Sequence, residues 1–138
     1  MTKVVVDTVV FVRGLINPFS YWGKLLFKHN GKYRLFVSKP IVFEILEVLD
    51  REEIVKKFRL LKGMDKSKVI EIISQAEVVV LKNIEHISRD SNDDKFIATA
   101  KAAKVDYIIS EDRDLLDIKE FEGIKIITAE EFIKIVEK

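Results

Sequence analysis

The sequence predicts an α/β sandwich built on a mostly parallel sheet of about five strands, and three observations predict it. Short β-branched runs such as Val4, Val5 and Val6 alternate from end to end with longer stretches of helical character. No repeat or linker interrupts that alternation, and 138 residues is the size of one core. Cap and turn residues fall at the joints. The expected organisation is a single domain over residues 1–138.

Taken in order, Lys3 to Asp7 is the first strand, its three valines suiting a fully buried position. A helical segment through Leu15 and Ile16 follows and is stopped by Asn17 and Pro18. Ser20 caps a helix to about Asn30, where Asn30 and Gly31 turn the chain into a second strand, Tyr33 to Val37. Ser38 and Pro40 suit the N-cap and first turn of a helix that carries Glu44. Asp50 with Glu53 makes a capping-box-like start for a helix to about Lys62, closed by Gly63. Asp65 or Ser67 begins its partner in a helical hairpin, which reaches Ala76. Val78 to Leu81 is the third strand, Asp93 to Ala103 a helix, and Tyr107 to Ser110 the fourth strand. A short Leu115, Leu116 segment precedes a fifth strand, Ile124 to Ile127, and Thr128 with Glu131 caps the closing helix.

Composition narrows the function classes. With 48% hydrophobic and 34% charged residues the chain is neither disordered nor membrane-like, and no apolar run approaches the roughly 20 residues that cross a bilayer. Zero cysteines exclude disulfides and thiolate metal sites. The N-terminus enters a strand without a small-residue cleavage site, so a cytoplasmic protein is expected. A net charge of +1, from 24 basic and 23 acidic residues, does not announce nucleic-acid binding by itself.

The acids are more informative. In open α/β sheets ligands bind beyond the carboxyl ends of the strands. Asp7 ends the first strand, where it suits equally an N-cap and a ligand. The fourth strand exits into Glu111, Asp112, Arg113 and Asp114, and a turn needs one acid rather than three that repel each other. Asn92, Asp93 and Asp94 open a helix, where complementing the dipole explains one Asp better than two. Glu44 shares an apolar helical stripe with Ile41 and Val48, so it either reaches water at the stripe's edge or meets a cation.

The order Asp7, Glu44, Asp94, Asp112 resembles the acidic signature of PIN-domain nucleases, the fold of many VapC-like toxins of toxin–antitoxin pairs. The match spans the chain: "VVVDT" from Val4, Glu44, "DDKFIATA" from Asp93 and "DYIISEDRDLL" from Asp106 stand in the family's order. The resemblance implies a three-layer α/β/α fold and a metal-dependent endoribonuclease that leaves a 5′-phosphate and a 3′-hydroxyl. Carboxylates without a His or Cys cluster suit hard cations, here Mg²⁺ or Mn²⁺. Asp7, Asp94 and Asp112 are the implied metal ligands. Glu44 would position or deprotonate the water, with Thr8, Asp93, Ser110 and Asp114 in support. Also implied are a homodimer and an antitoxin partner. The chain departs from the family at Val9, where Asn is usual, and at Arg13, where Ser or Thr is usual, which alters the hydrogen bonding that supports the acids.

For RNA, Lys56, Lys57, Arg59 and Lys62 form a candidate phosphate-binding face, continued by Lys66 and Lys68. A solvated helical hairpin is the plainer account of the same run. Phe19, Tyr21, Trp22 and Phe27 suit base stacking or, at near-helical spacing, core and dimer contacts. His29 and His86 stand alone and read as packing or surface residues. One rival is a catalytically degenerate module of the same fold that binds RNA or protein without cutting, which Val9 and Arg13 favour. A receiver-type signalling domain fails, because the third strand ends at Leu81 and Lys82 without a phospho-accepting Asp and the fifth ends at Thr128 without a Lys.

Overall fold

The computed structural model describes residues 1–61, 67–82 and 91–138, and the side chains of all of these except 57–61 and 91. Six strands form one sheet: β1 (Thr2–Val6), β2 (Tyr33–Val37), β3 (Glu77–Val78), β4 (Tyr107–Ile109), β5 (Glu120–Phe121) and β6 (Ile124–Ile127), in the order β3-β2-β1-β4-β6-β5. Every pairing is parallel except that of β5 with β6. The helices flank this sheet, as expected of an α/β sandwich.

Val4, Val5 and Val6 lie in the middle of the sheet and are fully buried, which is why a continuous β-branched run stands there. β1 pairs with β2 on one side and with β4 on the other, Val6 lying opposite Ile109. The backbone ladder runs one residue further, the Asp7 amide donating to the Ile109 carbonyl at 3.0 Å. From β1 the chain first builds outward through β2 and β3, then returns to build β4 and β6 on the opposite side. The reversal of strand order between β1 and β4 opens a crevice at their carboxyl ends, the usual ligand position in such sheets.

Three helices frame that crevice: α1 (Thr8–Ile16) directly after β1, α3 (Lys39–Leu49) after β2, and α6 (Asp94–Ala103) before β4. Between the first two lie α2 (Tyr21–Gly23), a π-helical turn Lys24–Lys28 and a 3₁₀ turn Asn30–Lys32, where one helix to Asn30 was expected. In α3, Ile41, Ile45 and Leu49 recur at i, i+4 and i+8 and are fully buried, each worth about 1.5 to 3 kcal/mol of transfer free energy. Glu44 sits one position off that stripe. α6 packs across β1, β2 and β4, and α3 touches both α1 and α6. α4 (Glu52–Leu61), α5 (Ser67–Ser74), α7 (Arg113–Leu116) and α8 (Ala129–Val136) complete the described elements.

Local chemistry departs from expectation in three further places. The sixth strand, β5, is a two-residue antiparallel edge made possible by Glu122 and Gly123, which both take positive φ (48° and 85°) as a type I′ turn requires. Ser38 occupies the cap position of α3, but its hydroxyl pairs with the Thr99 hydroxyl of α6 at 2.7 Å instead of capping. Asp50 ends α3 rather than starting α4. The Thr128–Glu131 capping box forms as expected. Among the described residues no helix is long and apolar enough to cross a membrane.

Candidate metal centre and cleft

Asp7 joins β1 to α1 and is tied down at both carboxylate oxygens. Oδ1 accepts from the Val10 amide at 3.0 Å as the N-cap of α1, and Oδ2 accepts from the Ser110 hydroxyl and from the Glu111 amide at 3.2 Å. One oxygen therefore caps α1, and the other ties the end of β1 to the loop after β4. Only 3% of Asp7 is exposed, and burial raises its pKa from 3.8 to about 6. The hydrogen bonds from Ser110, Val10 and Glu111 oppose that rise, while the charge of nearby Asp112 adds to it.

The loop after β4 spreads its acids in two directions. Glu111 Oε1 accepts from the Ala129 amide at 3.1 Å, at the start of α8. Asp112 caps α7, accepting from the Asp114 amide at 2.8 Å, while its own amide donates to the Ser110 hydroxyl oxygen at 2.9 Å. Asp112 and Asp114 then meet Asp93, which arrives from the start of α6: one carboxylate oxygen from each of the three lies within 4.8 Å of the others. At that separation two full charges repel by about 3 kcal/mol at an effective dielectric of 20. A cation relieves this, and an all-carboxylate donor set fits Mg²⁺ or Mn²⁺.

Asp94, the ligand expected from the sequence, is buried in the first turn of α6 and does not line the cleft, whereas Asp93 does. One residue along a helix turns the side chain by about 100°. Asp93 occupies the N-cap position of α6 without a side-chain capping bond, so capping does not account for it.

Glu44 faces the same opening from α3. Its Oε2 accepts the Thr8 hydroxyl, and its Oε1 lies 2.8 Å from Lys95 Nζ on α6. The cation that a half-buried Glu requires is thus a lysine of the chain itself. Lys95 was not legible as a site residue. Its one signal is its place a turn before the buried Thr99, whose hydroxyl bonds back to the Lys95 carbonyl.

Asp7, Thr8, Glu44, Asp93 and Asp112 all border one cleft of about 390 Å³, which Val9, Arg13 and Arg51 also line. Of the basic run, Lys56 is exposed and pairs loosely with Glu52 at 3.7 Å. The side chains of Lys57 and Arg59, together with Lys62, Lys66 and His86, lie outside the described residues. Lys68 is exposed at the start of α5. His29 is a packing residue, buried with Nε2 at 2.9 Å from Glu137. Phe19 is 89% exposed, while Trp22 and Phe27 pack against the core.

A family model described as PIN domain matches residues 3–114. An uncharacterized protein of Methanocaldococcus jannaschii is 31% identical over 150 aligned residues, covering 99% of this chain and 92% of that protein. The crystal structure of VapBC2 from Rickettsia felis, bound to a DNA fragment from their promoter, superposes with a TM-score of 0.57 at 11% identity, over 91% of this chain and 97% of that one. The family model spans all the residues that carry the acids and most of the chain, and this chain belongs to the PIN-domain family.

Proposed function

We propose that this protein is a Mg²⁺- or Mn²⁺-dependent endoribonuclease, the toxin of a toxin–antitoxin pair, acting in the cytoplasm as a homodimer. The observation that carries the proposal is the convergence of Asp93, Asp112 and Asp114 beside Asp7 at the switch point of the sheet. Membership of a family of nucleases supports hydrolysis, and the likeness in fold to VapBC2 supports a protein partner.

The proposed ligand set is Asp7, Asp93 and Asp112, with Asp114 alongside; Asp93 takes the place expected of Asp94, which does not line the cleft. A divalent ion held there supplies positive charge to the developing phosphoryl oxygens and makes a nearby water more acidic. Glu44 positions or deprotonates the attacking water, and Thr8 and Lys95 fix where its oxygens point. Ser110 aims Asp7 through the hydroxyl it donates to Oδ2. Lys56, Lys57, Arg59 and Lys62 contribute phosphate contacts.

The test is cleavage of a labelled RNA with Mg²⁺ or Mn²⁺ by wild type, Asp112→Asn, Asp93→Asn and Asp94→Asn. Wild type cuts and EDTA stops it. Asp112→Asn loses at least about 100-fold, and the geometry assigns the larger loss of the other two to Asp93→Asn. Equal cleavage by wild type and Asp112→Asn rejects the proposal. A second reading, a module that binds RNA without cutting, draws on the ammonium already seated on Glu44, which occupies a carboxylate oxygen that a water would otherwise meet. RNA binding without Mn²⁺ uptake decides for it.

A further inference from the structure

Among the helices that line the cleft, α1 and α3 change chemistry in the same order. On α1 the acid end is Asp7 and Thr8, followed by Val9 and Val12, then Arg13. On α3 it is Glu44, followed by Val48, with Arg51 just past the helix end. The Thr8–Glu44 hydrogen bond ties the two acid ends together, and the helices pack against each other beyond it. At about 1.5 Å per residue, Arg13 lies about 9 Å along α1 from Asp7, and Arg51 follows Glu44 by about two turns, just beyond the end of α3. Phe96 of α6 adds to the apolar stretch.

Among the described residues both arginines make only weak contacts, although Arg13 also places its charge in the last turn of α1. Arg13 is exposed, makes no ion pair among the described residues, and holds its guanidinium 5.0 Å from the Trp22 ring. Arg51 touches Glu47 at 3.3 Å, an i, i+4 pair with both side chains more than half exposed, and such pairs contribute a few tenths of a kcal/mol.

We propose that this cleft is a subsite for the nucleotide adjoining the scissile phosphate of single-stranded RNA, its base lying against Val12, Val48 and Phe96 and its far phosphate held by Arg13 and Arg51. The inference rests on the nuclease reading, which puts a cation at the acid end. With that cation in place the cleft runs positive, apolar, positive, and in an unpaired strand each base projects from the sugar that joins two successive phosphates. A volume of about 390 Å³ falls within the range of small-ligand clefts. Only an unpaired strand can turn its base into the apolar stretch, since bases in a duplex stay stacked. Arginine is suited to the far end because its planar fork holds a phosphate through two hydrogen bonds.

The test is fluorescence anisotropy of a labelled single-stranded RNA in CaCl₂, with a gel showing the RNA intact, for wild type, Arg13→Ala and Arg51→Ala. Calorimetry of Mn²⁺ binding is run on the same samples. Each variant is expected to weaken RNA binding about 5- to 10-fold and to lower the slope of log K against log salt by about 0.7, the value for one lost single-strand phosphate contact. Mn²⁺ affinity stays at the wild-type value in both, and a duplex of the same sequence binds at least about 10-fold more weakly than the single strand. Wild-type affinity and salt slope in both variants, while wild type still cuts RNA, overturns the subsite alone. Duplex binding as tight as single-strand binding overturns it too, as does loss in both variants of binding to an acidic peptide with RNA binding intact, which gives the cleft to a protein partner. A wild type that takes up neither Mn²⁺ nor RNA removes the nuclease reading and the subsite together.

Discussion

Glu44, which lines the cleft, and Lys95 form an ion pair at 2.8 Å, with 23% and 15% of their side chains exposed. The pair joins α3 to α6 and holds the carboxylate assigned to the water. Because both partners are largely out of solvent, breaking the pair leaves a poorly solvated charge behind.

Lys95→Met should therefore lower stability by about 1 to 2 kcal/mol in urea titrations. Glu44→Gln keeps the shape but removes the base, and is expected to lose about 100-fold or more in cleavage while staying folded. In a double-mutant cycle the two substitutions should couple by about 1 kcal/mol. Strict additivity would show that the pair is incidental to both fold and chemistry.

Asp7 makes metal-free stability depend on pH in a direction that can be worked out. Its folded pKa is raised to about 6 from 3.8, because burial disfavours the charge. Below about pH 4 it is protonated in the folded and unfolded chains alike, so the protein bears no penalty. Between about pH 4 and 6 the unfolded chain sheds the proton that the folded chain keeps, and stability falls as pH rises, by about 3 kcal/mol in all. Asp7→Asn retains a capping oxygen and removes that penalty. Its amide nitrogen then faces the Glu111 N–H, a cost that does not depend on pH, so in EDTA its stability relative to wild type should be higher at pH 7.5 than at pH 4.5. An equal margin at both pH values would show that Asp7 carries no such cost.

Ser110→Ala removes the hydroxyl that lowers the Asp7 pKa. The acidic limb of the pH–rate profile should move to higher pH, while activity at pH 8 falls less. An acidic limb that stays at its wild-type pH would free Asp7 from that hydrogen bond.

Much of this was legible in the sequence, for identifiable reasons. β1 was readable because a strand buried on both faces needs Val4, Val5 and Val6 in a row, and the acid that follows such a strand must lie at the sheet's mouth. β5 was not, because Glu120 and Phe121 carry no alternation and Glu122–Gly123 is a weaker hairpin signal than Asn-Gly. Asp93 and Asp94 are adjacent, and choosing between them needs the helical phase, which one residue of boundary error reverses. Lys95 stands 51 residues after Glu44, and their contact is set by how α3 packs on α6. Arg13 read only as a departure from the family, since the stripe it completes becomes apparent once α1 and α3 are placed side by side.

The most direct test of the central claim, that distant acids converge to bind a divalent cation, is calorimetric titration of Mn²⁺ into EDTA-free wild type and Asp112→Asn. Wild type should bind, and the melting temperature should rise with Mn²⁺, the gain reaching about 2.7 kcal/mol at 100 times the dissociation constant. Asp112→Asn should bind at least about 10-fold more weakly and, without metal, be the more stable protein, because one of three repelling charges is gone. Mn²⁺ uptake that is absent in wild type, or identical in the two proteins, would contradict the claim.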